Sequence, residues 1–415
     1  MTLPAPPPAL SSRDVRAWRN SLFVVFALCG LGLASWAARI PAVSSSLDLS
    51  TADVGVLLFG LAIGSIVGIL ASGHLVALFG ARAVMRWTLL LAPLGLAIAA
   101  VGATTLTSFA VTFAGLAIYG AGMGTCDVAM NVSGAANERV IDRTMMPIYH
   151  AFFSFGTMGG AALAALAELL AIPLTVHIGA VAVLMIVASI IVIPAVQSET
   201  ILHGADAATA AAAAEQPAVD WRARLAIWRD PRTIFIGLIV LGMAFAEGSA
   251  NDWLAYAMVE GHDTDEPTGA FVFWVFVTAM TAGRLLGVRV LDRFGRVPVL
   301  RVSAVLAAIG LLVLIFSPIT WVAIVGVVLW GLGASLGFPV GMSAAADDAR
   351  TAAARVSAVA TIGYIAFLVG PPVIGLIGEQ VGILGALLLV LVLVAVAGVV
   401  SGAAREPRAP VTLRP

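Results

Sequence analysis

Long apolar runs recur twelve times along the chain, each closed by a charged or turn-rich break. They lie near residues 20–39, 54–78, 83–103, 108–131, 145–167, 173–195, 233–257, 268–290, 298–317, 320–345, 356–378 and 382–403. Most approach or exceed the ~20 apolar residues that a helix needs to cross a bilayer. The run 384–400 holds no charge, whereas Asp127, Glu247 and Arg284 interrupt others and single them out. The pattern predicts an all-α membrane protein of twelve transmembrane helices.

The polar breaks are ordered too. All 22 basic residues are Arg, against 23 acidic residues, and there is no Lys. With the N-terminus placed inside, the inside segments hold Arg13, Arg16 and Arg19, then Arg82 and Arg86, then Arg139 and Arg143. They continue with Arg222, Arg224, Arg229 and Arg232, the cluster from Arg284 to Arg301, Arg350 and Arg355, and Arg405, Arg408 and Arg414. Only Arg39 falls outside. This is the positive-inside asymmetry, and it predicts a multi-pass protein of the bacterial inner membrane with both termini cytoplasmic. It also checks the span count, because one missed helix would invert every later loop. The outside loops carry acids instead, notably Glu260, Asp263, Asp265 and Glu266.

Composition adds exclusions. Charged residues make up 11% of the chain, against about 25% in soluble domains. The formal net charge of −1 gives no basic surplus for nucleic acid. Without Lys there is no P-loop lysine and no Schiff-base or general-base lysine, which sets aside ATP-driven transport by this chain. Gly333-Ala-Ser335-Leu-Gly337 imitates a hydrolase elbow but lies in a helical run, where that elbow needs a preceding strand. No enzyme is expected. Cys29 and Cys126 are too few for a four-thiolate zinc site and read as buried free thiols. No metal and no cofactor are expected. Residues 1–19 lack the pattern of a cleavable signal.

The chain reads as two related halves. Tyr119-Gly-Ala-Gly and Trp330-Gly-Leu-Gly are 211 residues apart, and Glu168 and Glu379 share that offset. The predicted organisation is a six-helix bundle over 1–195, a linker over 196–231 and a second six-helix bundle over 232–415. The linker is Ala-rich and ends in Trp221, Arg222, Arg224, Trp228 and Arg229, which suits an amphipathic interfacial helix. Parallel six-helix halves with the main site at their interface near mid-membrane are a transporter architecture.

Two inside loops occupy corresponding places. One runs from Gly73 through Ala77 and Gly80 to Arg82; the other runs from Gly287 through Asp292, Arg293 and Gly295 to Arg296. The glycines allow a tight helix-to-helix turn, and the Asp suits a charge latch, with Arg284 as its expected partner. These loops resemble the signature loop of the major facilitator superfamily, and the duplicated layout extends the resemblance over the whole chain. Ala77 departs from the expected Asp in the first copy. Four runs look more closely like the uncharacterised bacterial inner-membrane group of YbjJ type. They are Ala34-Ser-Trp36-Ala-Ala-Arg39-Ile-Pro41, the run from Ala244 to Trp253, Gly331 to Pro339, and Phe367 to Pro372. A more distant resemblance is to the fucose–proton symporters, which use an intramembrane carboxylate in the N-terminal half; it implies Asp127 as the matching group.

Charges inside the spans are the strongest functional pointers, since each costs about 2.5–3.5 kcal/mol at a helix centre. Asp127 and Asn131 are four apart and share a helix face, as do Glu247 and Asn251. Asp127 is the expected proton site, with Glu247 second and His150 as the candidate relay or partner of Asp127. A hydrogen-bond anchor between helices is the alternative reading of Asp127. Gly248-Ser249 is a place where the seventh span could unwind. Glu247, Asn251, Asp252 and Trp253 form a candidate wall for a polar or cationic solute, and an outside gate pairing Glu247 with Arg39 is the alternative. Trp36, Arg39, Tyr119, Trp330 and Tyr364 complete the candidate cavity. Gly60, Gly64 and Gly68 recur every four residues and permit close helix approach.

The expected function is secondary active transport of a small polar organic solute, such as a sugar or related metabolite, as a monomer in the lipid bilayer and driven by protons through symport and alternating access. A proton-antiporting exporter of amphipathic compounds and a non-transporting membrane sensor or scaffold are the two rival readings.

Overall fold

The computed structural model describes residues 10–198, 227–348 and 351–406, which contain fourteen α-helices and no strand. They are α1 (Ser12–Ala37), α2 (Ile40–Leu47), α3 (Thr51–Phe79), α4 (Ala81–Thr104), α5 (Phe109–Ile141), α6 (Met146–Leu169) and α7 (Leu174–Val192). After residue 227 come α8 (Pro231–His262), α9 (Glu266–Phe294), α10 (Arg296–Phe316), α11 (Thr320–Ala334), α12 (Gly337–Ala345), α13 (Ala352–Val381) and α14 (Ile383–Val400). Twelve helical segments are long and apolar enough to cross a membrane, with α11 and α12 forming a single segment and α2 too short to be one. The linker expected over 196–231 lies, for residues 199–226, outside the described residues.

The helix ends follow from local chemistry. Ser11 with Asp14 and Ser50 with Asp53 form capping boxes that satisfy the first N–H groups of α1 and α3. Gly80 and Gly295 join α3 to α4 and α9 to α10 with φ of 78° and 76°, which a residue with a Cβ adopts only under strain.

The chain divides into two compact units. One comprises Met1–Ala218 and Thr264–Trp274; the other comprises Val219–Asp263 and Val275–Pro415. Within the first unit α1 lies against α6, and α4 against α5. Within the second α8 lies against α13, and α10 against α11, so the same pairings of spans recur. The glycine column of α3 works as small-residue spacing should: a Cβ on Gly64 would fall 2.1 Å from the Ala117 carbonyl oxygen of α5.

One expectation about helix continuity is corrected. The seventh span does not unwind at Gly248-Ser249; α8 runs unbroken through both, which are buried, and Gly248 abuts the Phe367 ring. The break falls in the tenth span, between α11 and α12 at Ser335-Leu336. Pro339 explains it. Proline has no N–H to give to the carbonyl four residues back, and its ring crowds that carbonyl, which here belongs to Ser335.

Candidate functional site

The most enclosed helix carries the clearest site. From Gly242 to Met258 every residue of α8 is buried except Glu247, Asn251 and Asp252. All three are polar, whereas a lipid-facing strip would be apolar, which argues that these positions do not face lipid. Glu247 sits at the middle of α8. Its Oε1 accepts from Nη2 of Arg284, in α9, at 2.7 Å, with side chains 18% and 28% exposed. Nε of Arg284 reaches the Ser335 carbonyl at 3.4 Å, taking up the acceptor that Pro339 leaves without its helical donor. One guanidinium thus ties the middle of α8 to the break in the tenth span. A cation also suits that place electrostatically, because it caps the carbonyl end of α11. Asn251 and Asp252 make no side-chain hydrogen bond or ion pair among the described residues.

These contacts correct two expectations. Arg284 is not the partner of Asp292, which makes no ion pair among the described residues; it points into the span region toward Glu247. Nor does Glu247 pair with Arg39. Arg39 is buried and its Nε lies 2.6 Å from Glu168 Oε1, at the end of α6, with Nη2 donating to the Ile172 carbonyl at 3.2 Å. Burial pushes the Arg39 guanidinium down from its ordinary value, with the Glu168 charge opposing that shift.

In the first unit Asp127 lies near the middle of α5. Its Oδ1 accepts from the Asn131 amide at 3.3 Å, and the same amide donates to the Asp127 carbonyl at 2.8 Å. No ion pair reaches Asp127 among the described residues. His150 is not its partner: the imidazole is exposed and stands edge-on to Phe26 at 5.3 Å. The helix packing gives the reason, since α6 lies against α1 whereas α5 lies against α3 and α4. Beside Asp127, Cys126 Sγ is 4.0 Å from Cys29 Sγ, and both thiols are fully buried.

The expected aromatic lining separates into two groups. Trp36, Tyr119, Trp253 and Trp330 are fully or almost fully buried, so they do not border an accessible cavity in this structure. Their polar ring and hydroxyl atoms have no hydrogen-bond partner among the described residues. Trp253 packs edge-on against Tyr256, and Trp330 against Phe276. Tyr364 is 40% exposed.

The arginine-bearing ends of the two units differ. In the second, Asp347 is 7% exposed and holds two guanidinium groups: Arg232 on Oδ2 and Arg296 on Oδ1, each at 2.7 Å. Arg296 also donates to Ser343 Oγ at 3.0 Å. Beside them Arg355 pairs with Asp230 at 2.9 Å and donates to Thr233 at 3.0 Å. Burial pushes the Asp230 carboxyl up, but hydrogen bonds from Thr233 and the Arg232 N–H, with the Arg355 charge, outweigh it and hold it below the usual range. In the first unit the matching Arg82 donates to the Pro194 carbonyl at 2.9 Å instead. Arg293 stacks over Phe294, and Gly73 faces open space. Sequence reasoning overlooked Asp347 and Asp230. Their signal was present, since each lies next to an arginine-bearing helix end.

Comparison with known proteins gives consistent matches. The family model described as Major Facilitator Superfamily matches residues 249–415. An uncharacterized MFS-type transporter of Yersinia pestis is 32% identical over 358 residues, covering 86% of this chain and 88% of that protein. The membrane protein MosC of Rhizobium meliloti is 27% identical over 367 residues, covering 88% and 85%. Among solved structures, the nucleoside transporter NupG (a D323A mutant) superposes with a TM-score of 0.70 at 15% identity, covering 94% of this chain and 98% of that one. A D-xylose–proton symporter gives 0.70 at 14%, and the E. coli fucose:proton symporter 0.60 at 17%, with the same coverages. At these identities the structural matches speak for the fold.

Proposed function

The chain belongs to the Major Facilitator Superfamily, and from that premise we propose that this transporter moves a small polar organic solute, a sugar or related metabolite, across the bacterial inner membrane together with protons. The observation that carries the reading is the strip of Glu247, Asn251 and Asp252, the only accessible positions between Gly242 and Met258. A carrier of amphipathic compounds needs an apolar, aromatic wall; here Trp36, Trp253 and Trp330 are buried, and the accessible groups of α8 are two carboxylates and an amide. The structural neighbours named for xylose, fucose and nucleosides support the same solute class.

Asp127 is the proposed proton site. A carboxylate near the centre of a span with no cation beside it is costly when ionised. Taking up a proton removes that cost, so loading and unloading Asp127 shifts the balance between conformations that bury it and conformations that hydrate it. The Glu247–Arg284 pair is the second candidate, since protonating Glu247 would release the guanidinium that holds the break in the tenth span. In this reading the halves 1–195 and 232–415 rock about the solute, both termini are cytoplasmic, the protein acts as a monomer and no chemical step is catalysed.

The test is uptake into proteoliposomes from a metabolite library, with and without an imposed proton gradient. Wild type is expected to accumulate a polar solute when the gradient is present. Asp127→Asn is expected to lose gradient-driven accumulation by at least tenfold while still exchanging solute across the membrane. Accumulation by Asp127→Asn that keeps its full pH dependence refutes the proton-site assignment.

A further inference from the structure

The charges at the accessible positions of α8 and beside them do not balance. Glu247 and Asp252 bring two carboxylates to the accessible strip of α8, and Arg284 brings one guanidinium. At 2.7 Å that guanidinium belongs to Glu247. Asp252 is left with no hydrogen bond and no ion pair among the described residues, and its neighbour Asn251 has its amide equally unengaged. A carboxylate taken out of water without a counter-charge costs several kcal/mol. The helix around it is otherwise buried, so whatever offsets this cost, a proton or a cation on the solute, arrives from the accessible side of Asp252.

We propose that Asp252 is the counter-ion for a protonated amine on the solute. The inference rests on the polar-solute reading and narrows it. Asp252 is five residues beyond Glu247, about 7.5 Å along the axis and about 140° around it. A solute that reaches both would place its ammonium on Asp252 and its hydroxyl groups on the Glu247–Arg284 pair, which is neutral overall and offers both donors and acceptors. Asn251 lies between and supplies an amide to either end. The pair does not compete for the amine, since Glu247 already has its cation. Nor does Arg284 favour an anionic solute, because a carboxylate arriving there would have to displace Glu247 and add a third negative charge to the strip.

The experiment uses the full-length protein purified in detergent, read by thermal shift and by isothermal titration. The probes are polyhydroxylated and small amino-alcohol amines, each matched with its hydroxyl parent and its N-acetyl analogue; glucosamine, glucose and N-acetylglucosamine form one such set. The expected result is that at least one amine binds tenfold or more tightly than both of its matched compounds. Asp252→Asn should bring the three within about threefold of one another, and Asp252→Glu should restore the preference, which separates loss of charge from loss of fold. Equal binding of the hydroxyl or N-acetyl member, an unchanged preference in Asp252→Asn, or no amine bound by wild type overturns the proposal. Tight binding of a neutral polyol alone would overturn it and leave the polar-solute reading standing. Stabilisation by lipophilic compounds only would overturn both.

Discussion

Asp127 and Glu247 invite comparison. Each is a carboxylate near the middle of one of the chain's longest helices, one in each unit, and each has an Asn four residues on. Glu247 is held by a guanidinium at 2.7 Å, whereas Asp127 has a single long bond from its own helix. The units differ again at their arginine-bearing ends. Asp347 gathers Arg232 and Arg296 in the second, whereas Arg82 in the first finds a backbone carbonyl. Duplication has therefore preserved the scaffold while the charge chemistry diverged. The second unit pairs Glu247, Asp347 and Asp230 with arginines, whereas the central acid of the first, Asp127, has no ion pair among the described residues.

This contrast can be broken by experiment. The largest expected effect is at Arg284. Arg284→Gln strands Glu247 and lets go of Ser335, and by analogy with broken buried pairs it should cost about 3 kcal/mol. Thermal unfolding of the purified protein should show it as a clear drop in midpoint. Glu247→Gln combined with Arg284→Gln should recover most of that loss, and a double variant no better than Arg284→Gln alone would mean the two groups are not coupled. A smaller effect is expected at the arginine-bearing ends. Asp347→Ala removes the carboxylate that Arg232 and Arg296 share, leaving them Ser343 and backbone carbonyls, and should cost about 1–2 kcal/mol, whereas Arg82→Gln should stay within about 0.5 kcal/mol. Equal losses would erase the asymmetry. Asp127→Asn should also shift stability little, within about 1 kcal/mol, since it removes one weak bond and one uncompensated charge. A collapse of thermal stability there would make Asp127 a structural anchor.

Much of the fold was legible in sequence because hydropathy and the placement of arginines are one-dimensional signals. The expected tenth span, 320–345, coincides with the joined α11 and α12. What failed was pairing between elements. His150 was matched to Asp127 because their spans are consecutive, yet α6 packs on α1. Arg284 was assigned to a loop by its neighbours in sequence. Counting from the opposite ends would have found its true partner: Arg284 is eighteen residues into α9 and Glu247 fifteen from the end of α8, about 27 and 22 Å deep. The break at Ser335 was also readable, from the missing N–H of Pro339. Burial of Trp253 beside the accessible Asp252 was not readable, because adjacent positions on a helix diverge by about 100° and no periodicity identifies which arc stays accessible.

The two thiols carry a practical consequence. Cys29 and Cys126 are the chain's only cysteines, and neither exposes any surface to solvent. A maleimide label directed at one engineered cysteine in a loop should therefore report from that position against an almost silent native background. The absence of Lys does the same for amine-reactive reagents, leaving the N-terminus as the single native target. Sidedness, the distance between the two units and its response to solute can thus be measured without first stripping residues from the molecule.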